Sequence, residues 1–334
     1  MTVESIRLAL LGASGAAEPY REAAARLGRG SFVVVIDNDE GPAESMADAT
    51  GAAVVLASLE DALASKEVAF DAVVVRAPLA GRAALVERAA QAGKSVFVEA
   101  PIAASLGDAE RATEVARERN VCGMLGGTLR FRPVYRTLLS RLSDGKLGVP
   151  GLLRVHRWSS TEAGELKGGF LERVAGDVDL AISIFGVKPT CVHATGRDPS
   201  PSAAGLRRMP AYLQIHFGFP EGAMAVLDFA TTLPAGKGYD SFHVIGSDGA
   251  AYADDHHNTH LLFEGGEPRA RISSQGYLHT SWELQEFVDA ILEKRPSVAS
   301  LNEGCATQQV LEAVLQSLDA GQVLALEEGS YRAA

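Results

Sequence analysis

The first 125 residues alternate between two hydrophobic patterns. Short runs of Val, Ile and Leu without polar interruption are typical of parallel strands buried on both faces. These runs occupy residues 6–11, 32–36, 73–75, 96–98 and 121–125. Alanine-rich stretches with helical periodicity lie between or beside them, at residues 20–27, 42–50, 59–64, 82–92 and 106–118. Alternation of strand and helix at this spacing predicts a doubly wound α/β domain with a parallel sheet.

The pattern changes after a predicted helix at residues 134–143. One strand (152–158) and one helix (170–185) are followed by longer strands within 190–263, separated by the turn sequences FPEG, PAGKG and GSDG. Such turns favour a mostly antiparallel sheet, so this half is predicted to be an α+β domain with an open sheet. Two further helices are predicted at 281–293 and 303–320. The expected domains are residues 1–126 and 127–334, with the last helices able to pack back on the first domain.

Composition narrows the range of partners. Hydrophobic residues make up 47% of the 334 positions and charged residues 22%, which is typical of a globular protein with a substantial core. The net charge of -11 and the absence of a Lys/Arg cluster argue against nucleic acid or an anionic membrane as partner. The three cysteines are widely spaced, which favours reduced thiols in a cytoplasmic protein.

The turn after the first strand carries a candidate nucleotide site. It reads LLGASGAAEPY, and Gly12, Ser14, Gly15 and Ala17 match a dinucleotide fingerprint in which serine replaces the second glycine. The second strand ends at Asp37, where an acidic residue can accept a hydrogen bond from a ribose 2′-hydroxyl and repel a 2′-phosphate. These residues predict NAD rather than NADP as cofactor. The alternative is a plain tight turn with Asp37 capping the next segment.

Ordered motifs along most of the chain strengthen this prediction. Beyond the first turn and IDND, they are VVVRAP, VFVEAP, GGTLRFRP, GKLG and GGFLERVAGDVDLAISIFG. In this order they resemble the glucose-fructose oxidoreductase, inositol dehydrogenase and MocA (Gfo/Idh/MocA) family. The resemblance implies a Rossmann domain followed by an α/β domain whose open sheet makes oligomer contacts, and so a homodimer or homotetramer. It also implies further cofactor-binding residues, at Ala77, Pro78, Glu99, Ala100 and Pro101.

The chain departs from the family pattern at three positions. The usual Glu-Lys-Pro would place a lysine at Ala100, and the strand-four loop would carry a histidine at Arg82. A second family signature maps onto Glu172, Gly176 and Asp179, which puts glycine where the acid-base histidine is expected. The resemblance therefore implies a hydroxyl-oxidising enzyme whose usual proton-transfer groups are missing.

Other residues could replace the missing groups. Glu172 or Asp177 could act as a base, Lys167 or Arg130 could polarise a substrate oxygen, and Asp179 could contact the substrate. The competing interpretation makes Glu172 and Asp177 charges on a helix surface and Asp179 a packing or capping partner.

Two functions remain open from the sequence. The first is an NAD-dependent oxidoreductase acting on a sugar, polyol or related hydroxy compound with a rearranged site. The second is a non-catalytic nucleotide- or sugar-binding regulatory protein, or an inactive partner subunit. The stretch Asp254 to His260 is rich in metal-ligand side chains, but its place between predicted strands favours a polar loop, and no metal site is predicted.

Overall fold

The computed structural model describes residues 5–160, 169–197, 209–254, 260–263, 269–271 and 278–326. The first part of the chain contains β1 (Ile6–Leu11), α1 (Glu18–Arg26), β2 (Gly30–Ile36), α2 (Glu40–Thr50), β3 (Val54–Leu56), α3 (Leu59–Ala64), β4 (Ala72–Val75), α4 (Arg82–Gln91), β5 (Ser95–Glu99), α5 (Leu106–Glu118) and β6 (Gly123–Gly126). The remainder contains α6 (Pro133–Ser143), β7 (Pro150–Ser160), α7 (Phe170–Phe185), β8 (Cys191–Arg197), β9 (Tyr212–Gly218), β10 (Met224–Leu233), β11 (Tyr239–Gly246), β12 (Ala250–Asp254), β13 (His260–Phe263), β14 (Arg269–Arg271), α8 (Leu278–Glu293), α9 (Leu301–Ala320) and β15 (Leu324–Ala325).

The chain forms two compact units. One comprises residues 1–131 with 275–308, and the other comprises 132–274 with 309–334. Because α9 crosses position 308, its first turns belong to the first unit and its later turns to the second.

The first unit is built on a parallel sheet with the strand order β3-β2-β1-β4-β5-β6. The order reverses direction between β1 and β4, which is the point where open α/β sheets bind ligands at the carboxyl ends of their strands. Every residue of β4 is buried, as expected for a strand covered on both faces. The sequence pattern missed β3, because three residues are too few for periodicity to register.

The second unit is built on a mixed sheet whose described strands follow the order β14-β13-β12-β11-β7-β10-β9-β8-β15. The pairing of β7 with β10 is parallel and the other described pairings are antiparallel. Burial alternates along β10, with Ala225, Leu227 and Phe229 buried between more accessible neighbours. Helix α7 packs against β7. The predicted fold class, a doubly wound parallel domain followed by a mostly antiparallel α+β domain, is confirmed.

No helix in the described part of the chain is long and apolar enough to cross a membrane.

Candidate cofactor and catalytic sites

The glycine-rich turn joins β1 to α1 at the carboxyl edge of the parallel sheet. Gly12 has φ +97°, and a Cβ there would lie 2.7 Å from the carbonyl oxygen of Arg76. Gly15 also has φ +97°, a conformation that L side chains rarely adopt. Ser14 is exposed, so its hydroxymethyl group has space outside the turn. Close packing against β4 thus requires glycine at Gly12, while serine is tolerated at Ser14.

The backbone N–H groups of this turn form a cradle for an anion. Asp37 Oδ2 accepts the N–H of Ala13 at 2.6 Å. Within the described chain, the next backbone amides of the turn have no acceptor; they belong to Ser14, Gly15, Ala16 and Ala17. They precede α1, whose N-terminus adds the positive end of a helix dipole. Unpaired donors at a helix N-terminus fit the diphosphate of a dinucleotide.

The Asp37 carboxylate is held rigidly at the end of β2. Its Oδ2 binds Ala13 N, and its Oδ1 accepts the N–H of Asp39 at 3.0 Å. Each carboxylate oxygen can accept a second hydrogen bond, so the half-buried group retains capacity for a hydroxyl donor.

A three-residue cluster beside the turn joins the predicted residue Glu99 to Arg76 and Tyr20, which the sequence did not single out. Arg76 follows β4 directly, and its Nε lies 3.2 Å from Glu99 Oε1 at the end of β5. The same carboxylate oxygen accepts the Tyr20 hydroxyl at 3.2 Å. Burial, with Glu99 nearby, raises the pKa of Tyr20 well above its ordinary value, so the phenol stays neutral. The sequence signal for this cluster was an arginine ending an otherwise apolar strand, VVVRAP.

Arg82 connects the loops that follow β4 and β5. Its Nε donates to the carbonyl of Ala77 at 2.8 Å, and its Nη1 donates to the carbonyls of Glu99 and Pro101 at 3.1 and 2.8 Å. The side chain is buried, and it fixes the backbone on both sides of Ala100. Where the family pattern has histidine, this chain therefore has a cation that holds the two loops together.

The loops themselves bring the other predicted cofactor residues to this edge. Ala77 is buried and Ala100 is half-buried, and the N–H of Ala100 donates to the carbonyl of Gly126 at 2.9 Å. Pro78 follows Ala77, and Pro101 follows Ala100 through a cis peptide bond. Parallel strands β4 and β5 are adjacent, which explains why their carboxyl ends meet here.

Arg130 lies within the first unit, in a buried ion pair. Its Nη1 is 2.8 Å from Glu303 Oε1 and 2.9 Å from the carbonyl of Val298. Nearby, the buried Glu283 carboxylate accepts the backbone N–H groups of Gly127 and Thr128. These contacts tie the GGTLRF segment to α8 and α9.

The acidic residues of the second unit lie on α7. Glu172, Gly176 and Asp179 are spaced i, i+4 and i+7 and so share one face of the helix. Glu172 is half-buried, and its Oε2 accepts the backbone N–H of Gly169, the residue that precedes α7, at 3.0 Å. Asp179 is fully buried.

Asp177 lies on a different face of α7, in a buried charge network. Its two oxygens accept Nε and Nη2 of Arg157, on β7, at 3.1 and 2.7 Å. Arg157 Nη2 also donates to the Tyr135 hydroxyl, and Nη1 lies 3.9 Å from Asp240 Oδ2. Burial opposes the charge of Arg157, but these neighbours raise its pKa well above the ordinary value. Asp177 is therefore committed to a structural ion pair.

Two predicted features lie wholly or partly outside the described residues. Lys167 belongs to the segment 161–168, and most of the stretch from Asp254 to His260 belongs to the segment 255–259. Among the described residues, no group of three or more His, Cys, Asp or Glu side chains could hold a metal ion.

Comparison with known proteins identifies the class of protein that this fold and cofactor cradle define. Residues 6–126 match the oxidoreductase family domain described as an NAD-binding Rossmann fold, and residues 140–326 match the family's C-terminal alpha/beta domain. The chain belongs to the Gfo/Idh/MocA oxidoreductase family. NAD as the cofactor, predicted from Asp37 and the turn, is confirmed at the level of the family.

Relatives resemble this chain in sequence, and a solved structure shares its fold. The inositol 2-dehydrogenase of Rhizobium meliloti is 25% identical over 329 residues, covering 94% of this chain and 97% of that protein. The scyllo-inositol 2-dehydrogenase (NAD(+)) of Bacillus subtilis is 27% identical over 248 residues, covering 70% and 71%. An oxidoreductase of Agrobacterium radiobacter, solved with NAD+, L-tartaric acid and magnesium, shares the fold with a TM-score of 0.83 at 17% identity, covering 96% of this chain and 98% of that chain.

Proposed function

We propose that this protein is an NAD-dependent dehydrogenase of a small polyhydroxylated compound, a sugar or a cyclic or linear polyol. The observation that supports it most directly is the set of backbone amides from Ser14 to Ala17, which have no acceptor among the described residues and lie at the N-terminus of α1, with Asp37 held at the end of the neighbouring strand. The inositol dehydrogenases among its relatives support this substrate class.

The residues of the first unit bind the cofactor. The backbone amides after Gly12 would donate hydrogen bonds to the diphosphate, and Asp37 would accept a hydrogen bond from a ribose hydroxyl. The two loops joined by Arg82 would contact the rest of the dinucleotide through Ala77, Pro78, Glu99, Ala100 and Pro101. A bound NAD would supply the hydride acceptor for the carbinol carbon of the substrate. The hydroxyl proton must leave to a base, so an alcohol and NAD give a carbonyl compound, NADH and a proton.

We assign the proton acceptor to Glu172. Asp177 is unsuited to this role because both of its oxygens bind Arg157. Arg130 is unsuited to polarising the substrate oxygen because it is paired with Glu303. Glu172 is half-buried on the helix face that it shares with the half-buried Gly176, whereas Asp179 on the same face is fully buried and is assigned no substrate contact. General-base assistance of this kind contributes about 10²–10⁴ in rate. Lys167 remains a candidate for polarising the substrate oxygen.

A second candidate function rests on the same positions. With alanine at Ala100 and glycine at Gly176, the chain lacks both proton-transfer side chains of the family pattern, and Asp177 and Arg130 are already paired. These features favour a protein that binds NAD and a sugar-like ligand without oxidising it.

One experiment separates the two functions. NADH binding is measured by fluorescence titration, and a panel of inositols, sugars and sugar alcohols is then tested with NAD by the absorbance of NADH. The dehydrogenase proposal expects turnover that Glu172→Gln lowers by about 10²–10⁴ without weakening NADH binding. Glutamine can still accept the N–H of Gly169, so this hydrogen bond is retained.

Glu221→Gln, at an exposed acid of the second unit, is the matched control and should be unchanged. Tight NADH binding with no turnover on any panel member would favour the non-catalytic function instead.

A further inference from the structure

Arg76 is a cation with an unusual location in the first unit. It follows the last residue of β4, a strand that is buried throughout. Although Arg76 is charged, its side chain is only 11% exposed. Its guanidinium carbon lies 4.3 Å from the centroid of the Tyr20 ring, and its Nε is 3.2 Å from Glu99 Oε1. The aromatic face and the carboxylate restrict the planar group to one orientation.

That orientation places the guanidinium on the glycine-rich turn. Arg76 Nη2 donates to the carbonyl of Ser14 at 3.2 Å, and Nη1 contacts the carbonyl of Gly12 at 3.4 Å. A Cβ on Gly15 would lie 3.4 Å from Nη2. Arg76 therefore touches the same short segment whose N–H groups from Ser14 to Ala17 have no acceptor in the described chain.

Arg76 also has hydrogen-bonding capacity left over. A guanidinium carries five N–H donors, and the contacts with Glu99, Gly12 and Ser14 use three of them. The other two have no acceptor among the described residues. Its positive charge offsets Glu99, a carboxylate that would otherwise repel an anion bound at the turn.

We propose that Arg76 is a cofactor-binding residue that donates to the diphosphate of NAD together with the amides of the glycine-rich turn. The inference rests on the proposed NAD-dependent function and adds a side chain to a diphosphate site otherwise built from backbone N–H groups. A planar, permanently charged fork suits phosphate oxygens better than an ammonium group does. This cofactor-binding role also explains why a charged residue directly follows a fully apolar strand.

The test measures binding rather than turnover. NADH is titrated by fluorescence and ADP-ribose by calorimetry, for the wild type, Arg76→Met, Arg76→Lys and Arg76→Gln. Arg76→Met should raise the Kd for both ligands at least tenfold, and Arg76→Lys should raise it less. Arg76→Gln keeps a donor for the carbonyl of Ser14 but has no charge, so its Kd values should resemble those of Arg76→Met. Arg88→Met, at a solvent-exposed arginine of α4, is the matched control and should bind both ligands as the wild type does.

The outcomes separate the inference from the function on which it rests. Wild-type Kd values for both ligands in folded Arg76→Met and Arg76→Gln would overturn the role of Arg76 and leave the dehydrogenase proposal standing. A wild-type protein that binds neither NADH nor ADP-ribose would overturn the proposed function itself, and the inference with it. Circular dichroism and thermal melting verify that each variant is folded.

Discussion

Arg157 and Asp177 form a buried ion pair joined at two points, with Nε 3.1 Å from Oδ2 and Nη2 2.7 Å from Oδ1. The pair connects β7 to α7, across a separation of 20 residues in sequence. It gives Asp177 a structural function that its place in the sequence, close to the family's acid-base position, did not indicate.

Breaking this pair should cost stability more than it costs binding. Asp177→Asn leaves the buried Arg157 charge without its main partner, a change that typically costs about 3–5 kcal/mol. We expect urea unfolding to show a loss of that order, with the Kd for NADH unchanged. Asp177→Leu combined with Arg157→Met should lose less than Asp177→Asn alone. If Asp177→Asn and the double variant lose the same free energy of unfolding, Asp177 and Arg157 do not act as a pair.

Asp37 should set the preference for NAD. The proposed contact of Asp37 with a ribose hydroxyl puts its carboxylate where the two cofactors differ, so the wild type should bind NADH at least about tenfold more tightly than NADPH, or ~1.4 kcal/mol. Asp37→Ser should narrow this gap in fluorescence titrations. Asp39→Ser, at the exposed neighbouring acid, is the control and should preserve the wild-type ratio. Tighter binding of NADPH than NADH by the wild type would refute the assignment.

Restoring the side chains of the family pattern should increase turnover. Ala100→Lys with Gly176→His supplies a cation at the end of β5 and an imidazole on α7, and proton-transfer groups contribute about 10²–10⁴ in rate. We expect a gain of at least about tenfold on the polyols and sugars of the panel. Gly176→Ala separates helix stabilisation from proton transfer, because it improves helix propensity by about 0.8–1 kcal/mol without an acid-base group. If Gly176→Ala gives the same gain as the double restoration, the imidazole is not responsible.

The accessible face of the second sheet should mediate self-association. Tyr212 and Met224 lie on adjacent strands β9 and β10, and they are 52% and 49% exposed. Large apolar side chains on an open sheet favour a symmetric contact. Light scattering should show a dimer or tetramer, and Tyr212→Glu with Met224→Glu should shift it toward monomer. Val298→Glu, an exposed position of the first unit, should leave the mass unchanged. A wild-type monomer at micromolar concentration would contradict this prediction.

Stability should fall in mildly alkaline solution. Burial, with Glu286 nearby, raises the pKa of the Cys122 thiol from 9.0 to about 11. The folded protein therefore keeps this proton at a pH where the unfolded chain releases it, so the stabilisation is complete below pH 9 and is lost as the pH rises toward 11. One group contributes a slope of up to ~1.4 kcal/mol per pH unit in this window. Urea unfolding of the wild type and Cys122→Ala across the window measures the contribution; parallel curves would show that Cys122 has none.

Much of the architecture was readable in the sequence because it depends on local pattern. Uninterrupted apolar runs predicted the buried parallel strands, and turn residues predicted the change to a mostly antiparallel sheet. Gly12 was readable for the same reason, since a turn that brings the chain against the next strand excludes a Cβ. The short strand β3 escaped prediction because its three residues carry no periodicity.

The sequence also determined which side chains are absent, since Ala100 and Gly176 cannot transfer a proton in any fold. Only the tertiary structure decided what the remaining polar groups do. Asp177 meets Arg157, Arg130 meets Glu303 across 173 residues, and Arg76 meets Tyr20 and the glycine-rich turn. The partner of a charged side chain depends on which strands and helices become neighbours, and no local spacing in the chain encodes that choice.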